Sequence, residues 1–176
     1  MAGAQRIDSP NFDVRPNAET ISLIVIHAIS LPPGEFASDH IVRLFTNTLD
    51  RAAHAYFATI ASLRVSAHFL IRRDGHLIQF VSCRQRAWHA GASCWKGRQR
   101  CNDFSVGIEL EGCDEIAFES AQYLRLDELI TALRLCYPIA AVVGHCDIAP
   151  ARKTDPGPRF DWQRLASLGS LLAHGD

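Results

Sequence analysis

Residues 144–158 read GHCDIAPARKTDPGP and follow the apolar run AAVV, which places His145, Asp147, Lys153 and Asp155 on a loop after a strand. Prolines at 150, 156 and 158 argue against a helix there. A second histidine, His27, lies near the C-terminal end of SLIVIHAIS (22–30), a continuous apolar and β-branched run that suits a strand buried on both faces. In an α/β sheet, side chains at the carboxyl ends of separate strands converge on one crevice. Two imidazoles and a carboxylate fill three positions of a tetrahedral zinc ion, and leaving the fourth to water makes such a site catalytic. Water held in that way has a pKa near about 7. Asp155 can return from the loop to complete the set. Asp147 is an alternative, although two residues after His145 it serves as easily to bond its own backbone in a turn. Cys146 is a softer donor, but strand alternation turns it away from His145. A histidine taken singly is more often a hydrogen-bonded core residue, so spacing alone leaves the ligand set open.

Other residues add to this chemistry. FSVGIELEG (104–112) puts Glu109 and Glu111 on one face of a strand, and buried carboxylates are costly unless they have a task. One of them could take a proton from an attacking water and return it to a leaving amine; the bland alternative is a salt bridge to a nearby arginine. Lys153 could stabilise an oxyanion, though a lysine is more commonly solvated. His68 reads as a packed residue near the site, and His89 as a group that meets substrate or supports a ligand.

These side chains need a frame. DHIVRLFTNTL (39–49) and RAAHAYFATIASL (51–63) carry apolar residues at helical spacing. VSAHFLIRR and HLIQFVS flank Asp74-Gly75, a two-residue hairpin signal. Residues 83–103 show no periodicity and are expected to form a long surface loop. ESAQYLRLDELITALRLCYP (119–138) is the clearest helix, with Ser120 as its expected cap, and FDWQRLASLGSLLAH (160–174) reads as a closing helix on the outside. Interleaved strands and helices with one hairpin give an α/β class: a single domain, residues 1–176, with a mixed central β-sheet flanked by helices.

The composition fits an ordinary globular protein, 48% hydrophobic and 21% charged, and 18 basic against 19 acidic residues give a formal charge of -1. Neither a nucleic-acid surface nor a membrane partner is expected from this balance. The opening MAGAQRIDSPNFDVRPNAET lacks the basic-then-apolar order of a secretory signal, so the expected location is the cytoplasm. Six cysteines without a CxxC pair are expected to be free thiols. With no heptad pattern, a monomer is the expectation.

The blocks SPNFDVRP, ISLPPGEF, LRVSAHFLIRRDG, RAWHAGAS, GRQRCNDFSVGIELEG and GHCDIAPARKTDPGPRFDW, in this order, resemble the AmpD family of zinc amidases within the wider N-acetylmuramoyl-L-alanine amidase group. The resemblance implies one zinc ion per chain. It also implies a small-molecule substrate, an anhydro-muropeptide cleaved between the lactyl group of 1,6-anhydro-N-acetylmuramic acid and L-alanine during peptidoglycan recycling. By motif position, His27, His145 and Asp155 match the metal ligands, Glu109 the acid that handles protons, and Lys153 the lysine beside the metal. Tyr56, Trp88, Arg64 and Arg100 are implied to meet substrate, the arginines through the carboxylates of the peptide stem. The chain departs from the family at His27-Ala28-Ile29-Ser30, where Asn usually stands at the second position. If that amide bonds substrate, its absence costs about 0.5 to 1.5 kcal/mol.

Overall fold

In the computed structural model, which describes residues 3–16 and 19–172, runs of strands are interspersed with helices along the chain. The first half holds β1 (Gln5–Arg6), β2 (Phe12–Val14), β3 (Leu23–Ile29), α1 (His40–Phe45), α2 (Ala55–Ile60), β4 (Phe69–Ile71), β5 (Leu77–Gln79) and β6 (Gln85–Ala87). The second holds β7 (Cys94–Trp95), β8 (Arg98–Gln99), β9 (Ser105–Glu111), α3 (Ser120–Cys136), β10 (Ala141–Gly144) and α4 (His145–Ile148). Six strands form the central sheet in the order β1-β5-β4-β9-β3-β10. All neighbours are parallel except the β4–β5 hairpin, so the sheet is mixed.

Strand alternation sorts the central residues into two layers. Ile24, Ile26, Phe69, Ile71, Val106, Ile108 and Leu110 face α3, where Leu126, Leu129, Ile130 and Leu133 cover them. On the opposite face, Leu70 and Ile78 pack under α1 and α2, while Leu23, Val25 and Val143 pack with Phe104 and Ile148. Both faces are dry, which explains why β3 and β9 read as apolar runs instead of alternating patterns. The register aligns His27 with Glu109 and Ile29 with Glu111, so the polar residues of both strands fall together at their C-terminal ends.

Several local expectations are corrected. The hairpin loop has three residues, not two: Ile71 pairs with Leu77, the Arg72 N–H donates to the His76 carbonyl at 2.9 Å, and of Asp74-Gly75 only Gly75 takes a positive φ, 82°. The two early helices are shorter than expected, six residues each, since Asn47 at φ 60° follows the end of the first and His54 caps the second by accepting from the Tyr56 N–H. Helix α3 is capped one residue early, where the Glu119 N–H donates to the Gln122 side chain at 3.0 Å. The proline-rich motif opens with the helical turn α4, which Pro150 permits because it lies beyond the last helical residue. The closing segment is 3-10 helix over Trp162–Leu171, broken at Leu165 and Gly169, with Leu165 and Leu168 in the core; residues 173 and 174 of that expected helix lie outside the described residues.

The largest correction concerns residues 83–103. They are not an irregular loop, because β6 pairs with β2, β7 pairs with β8, and Ala87, Ala90 and Cys101 are fully buried, while residues 91–100 do lie at the surface, with no buried residue among them. The cause is a clamp from far away in sequence. The buried Arg15 guanidinium donates to the carbonyls of Cys83, Asn102, Asp103 and Ser105 at 2.7 to 3.0 Å. All six cysteines are free.

Candidate active site

β3 and β10 run parallel, and their C-terminal ends deliver two histidines to one point. His27 points from β3 to the face opposite α3, and His145 follows β10 as the first residue of α4. The loop after α4 then doubles back. The Lys153 and Arg152 N–H groups both donate to the Ala149 carbonyl at 3.0 Å, and the Cys146 N–H donates to the Asp155 carbonyl at 2.9 Å. This last bond ties Asp155 to the start of α4 and brings its carboxylate beside both imidazoles.

Three atoms meet there. His27 Nδ1 and His145 Nδ1 are 3.0 Å apart, and Asp155 Oδ2 lies 3.1 Å from the first and 3.0 Å from the second. His145 Nε2 stands 3.3 Å from the Ala90 carbonyl, which can only accept, so that nitrogen carries the proton and Nδ1 presents its lone pair. Burial lowers the His27 imidazole to about 4, against a partial lift from Asp155, so it is neutral near pH 7. Burial raises the Asp155 carboxyl, but the two imidazoles beside it, His145 and His27, outweigh that and hold it well below the usual carboxylate range. Two imidazoles and a carboxylate sharing one small triangle make a set of donor atoms suited to a cation. The edges are slightly shorter than the roughly 3.3 Å of tetrahedral ligation at about 2.0 Å, so the donor set fits zinc in chemistry and size.

The triad forms the floor of a cleft of about 600 Å³, within the size range of small-molecule sites. Glu109 and Lys153 line the same cleft. Glu109 is buried, and its Oε2 has no hydrogen-bond partner among the described residues, a costly arrangement for a carboxylate without a task. Burial, and then the neighbouring Asp155 carboxylate, push its pKa well above the ordinary value, while Lys153 pulls the other way. Glu111 behaves differently although it shares the face: it accepts from the backbone N–H groups of Ala37 and Arg73, tying the loop after β3 to the hairpin. Asp147 takes the turn role, its Oδ2 accepting from the Gly144 N–H at 2.6 Å.

The four residues implied to meet substrate divide into two pairs. Tyr56 and Trp88 line the cleft, and the Trp88 Nε1–H donates to Asp13 at 2.7 Å, which fixes the plane of the indole. Arg64 does not line it; its guanidinium folds back on the carbonyls of Ser62 and Leu63. Arg100 sits in a separate depression with Ala92 and Ile148, paired with Asp103 at 3.1 Å. Ala28 packs against the α3-side core, on the face opposite His27, and also lines the cleft. His68 is fully buried and bonds Gln85 and Gly107, as expected of a packed residue. Arg152 lines the cleft and was not singled out from sequence, where nothing but its place beside Lys153 marked it.

Comparison with known proteins agrees with this geometry. The family model for N-acetylmuramoyl-L-alanine amidase matches residues 17–158. The chain is 58% identical over 172 residues to the 1,6-anhydro-N-acetylmuramyl-L-alanine amidase AmpD of Escherichia coli (strain K12), an overlap covering 97% of this chain and 94% of that protein. The crystal structure of a selenomethionine AmpD derivative superposes with a TM-score of 0.93 at 58% identity, over 96% of this chain and 95% of the other. The amidase AmiD from E. coli, solved with the substrate anhydro-N-acetylmuramic acid-L-Ala-D-gamma-Glu-L-Lys, gives a TM-score of 0.64 at 34% identity, over 88% of this chain and 60% of that one.

Proposed function

Because the chain belongs to the N-acetylmuramoyl-L-alanine amidase family, we propose that it hydrolyses the amide between the lactyl group of 1,6-anhydro-N-acetylmuramic acid and L-alanine, as an amidase spanning residues 1–176. The observation that carries this is the convergence of His27, His145 and Asp155 in a cleft that also holds Lys153 and a buried Glu109 whose Oε2 has no hydrogen-bond partner among the described residues.

His27, His145 and Asp155 would hold one zinc ion, which supplies Lewis acidity to a bound water and to the scissile carbonyl. Glu109 takes a proton from the water that adds to the carbonyl carbon. Its raised pKa keeps that proton available, and Glu109 passes it to the alanine nitrogen as the carbon–nitrogen bond breaks. The Lys153 ammonium faces the oxygen on which negative charge develops. Tyr56 and Trp88 wall the cleft and orient the fragment. The products are a free peptide and a sugar bearing a lactyl carboxylate.

The substrate is a small diffusible fragment, and we place the reaction in the cytoplasm, as part of peptidoglycan recycling, with the protein acting as a monomer. Among the described residues, no helix is long and apolar enough to cross a membrane.

The test is zinc content measured together with release of peptide from anhydro-N-acetylmuramyl-peptide, with and without chelator. One equivalent of zinc and chelator-sensitive release are expected. Metal-free protein that binds the fragment without releasing peptide would replace this reading with a recognition module.

A further inference from the structure

The hydrogen bonds around the two ligand histidines can be given directions from the chemistry of their partners. With Nδ1 of His27 turned into the triad, a neutral imidazole carries its proton on Nε2. That nitrogen lies 2.9 Å from Nδ1 of His89, so His27 donates and His89 accepts. The proton of His89 is then on its own Nε2, 3.3 Å from Ser105 Oγ, which accepts it. The branch from His145 ends at a backbone carbonyl, whereas the branch from His27 runs through a second imidazole.

His89 is built into this place. Its backbone N–H and that of Ala90 donate to the Asn102 side chain at 3.3 and 2.8 Å. Its ring stands edge-on to His27, with centroids 5.0 Å apart and planes at 85°. The opposite side of the ring lies on Gly107, where an added Cβ would run into the imidazole. Strand β9 therefore carries a glycine at a position where a side chain would displace His89.

We propose that His89 is a positioning residue for the metal centre: by accepting from His27 Nε2–H, its Nδ1 fixes the tautomer and ring orientation that aim His27 Nδ1 at the ion. This rests on the zinc reading above.

The experiment compares zinc affinity, by competition with a chromophoric chelator, for the wild type, His89→Leu and His89→Asn. Leucine fills the ring's space without an acceptor, and asparagine puts an amide oxygen close to the place of Nδ1. The leucine variant is expected to bind zinc about 10- to 100-fold more weakly. Its cobalt form should show a shifted visible spectrum, and asparagine should recover most of both losses. Should the leucine variant not fold, His89→Gln, whose longer amide reaches Ser105 and not His27, gives the same comparison. Wild-type affinity in the variant lacking the acceptor, or asparagine as weak as leucine, would overturn the assignment. A wild type that binds no zinc would instead remove the metal reading itself, and this inference with it.

Discussion

Replacing His68 by asparagine tests the buried polar frame behind the site. The His68 ring is fully buried, and its Nδ1 accepts from the Gly107 N–H at 3.0 Å, so its single proton sits on Nε2 and is donated to the Gln85 carbonyl at 3.1 Å. An Arg15 guanidinium nitrogen stands 3.1 Å from the same Nε2. A second proton would go to Nδ1 and meet the Gly107 N–H, and the imidazolium so formed would lie beside a cation. Burial first, and Arg15 next, lower the His68 pKa from 6.5 to about 3. The unfolded chain takes up this proton as pH falls below 6.5 and the folded chain does not, so the stability is fully present above 6.5 and is lost as pH falls toward 3. Between pH 7 and pH 5, one such group costs roughly 2 kcal/mol of unfolding free energy. Asparagine keeps an acceptor for Gly107, does not titrate, and loses the Gln85 bond, a pH-independent offset of about 0.5 to 1.5 kcal/mol. Urea unfolding followed by tryptophan fluorescence at pH 7, 6 and 5, with chelator in every sample, measures the difference. The wild type should lose about 2 kcal/mol more than the variant over that range. Parallel losses would refute the argument that His68 is held neutral.

Glu109→Gln should retain zinc while turnover falls by about 10²- to 10⁴-fold, as measured by peptide release and metal analysis. A carboxyl with a raised folded pKa loses stabilisation as pH rises through that value, so the metal-free Glu109→Gln variant should gain stability over wild type with increasing pH in urea titrations. Arg15→Lys removes the planar fork from four carbonyls and should cost about 3 kcal/mol or more in unfolding free energy, because unpaired buried acceptors lose about 1 to 3 kcal/mol each. Zinc at a hundredfold excess over its dissociation constant should stabilise the protein by about 2.7 kcal/mol, seen as a chelator-reversible rise in Tm. Asp155→Asn should abolish most of that rise.

Much of the frame could be read locally. The apolar runs of β3 and β9, the period of α3 and the turn signal at Asp74-Gly75 each lie within a few consecutive residues, and each names its element correctly. The same holds for the placement of His27 and His145 at strand ends. The ligand set needed more, since the resemblance to a family, and not spacing, singled out Asp155 over Asp147. The structure separates the two by the bond from Cys146 N–H to the Asp155 carbonyl and the bond from Gly144 N–H to Asp147.

Residues 83–103 were opaque because their order comes from Arg15 and Asn102 and not from any period of their own. The separation of Tyr56 and Trp88 from Arg64 and Arg100 was equally invisible, since a guanidinium's direction depends on which carbonyls or carboxylates stand nearby. From its own residues the sequence determined the strands, the long helix and the residue types able to hold a metal, because periodicity and turn chemistry act over neighbours in the chain. Only the tertiary structure decided that groups 118 and 128 residues apart meet within 3.1 Å and that His89 stands behind His27. Those distances follow from the register of parallel strands, which is set by packing on both faces of the sheet and leaves no mark in any single segment.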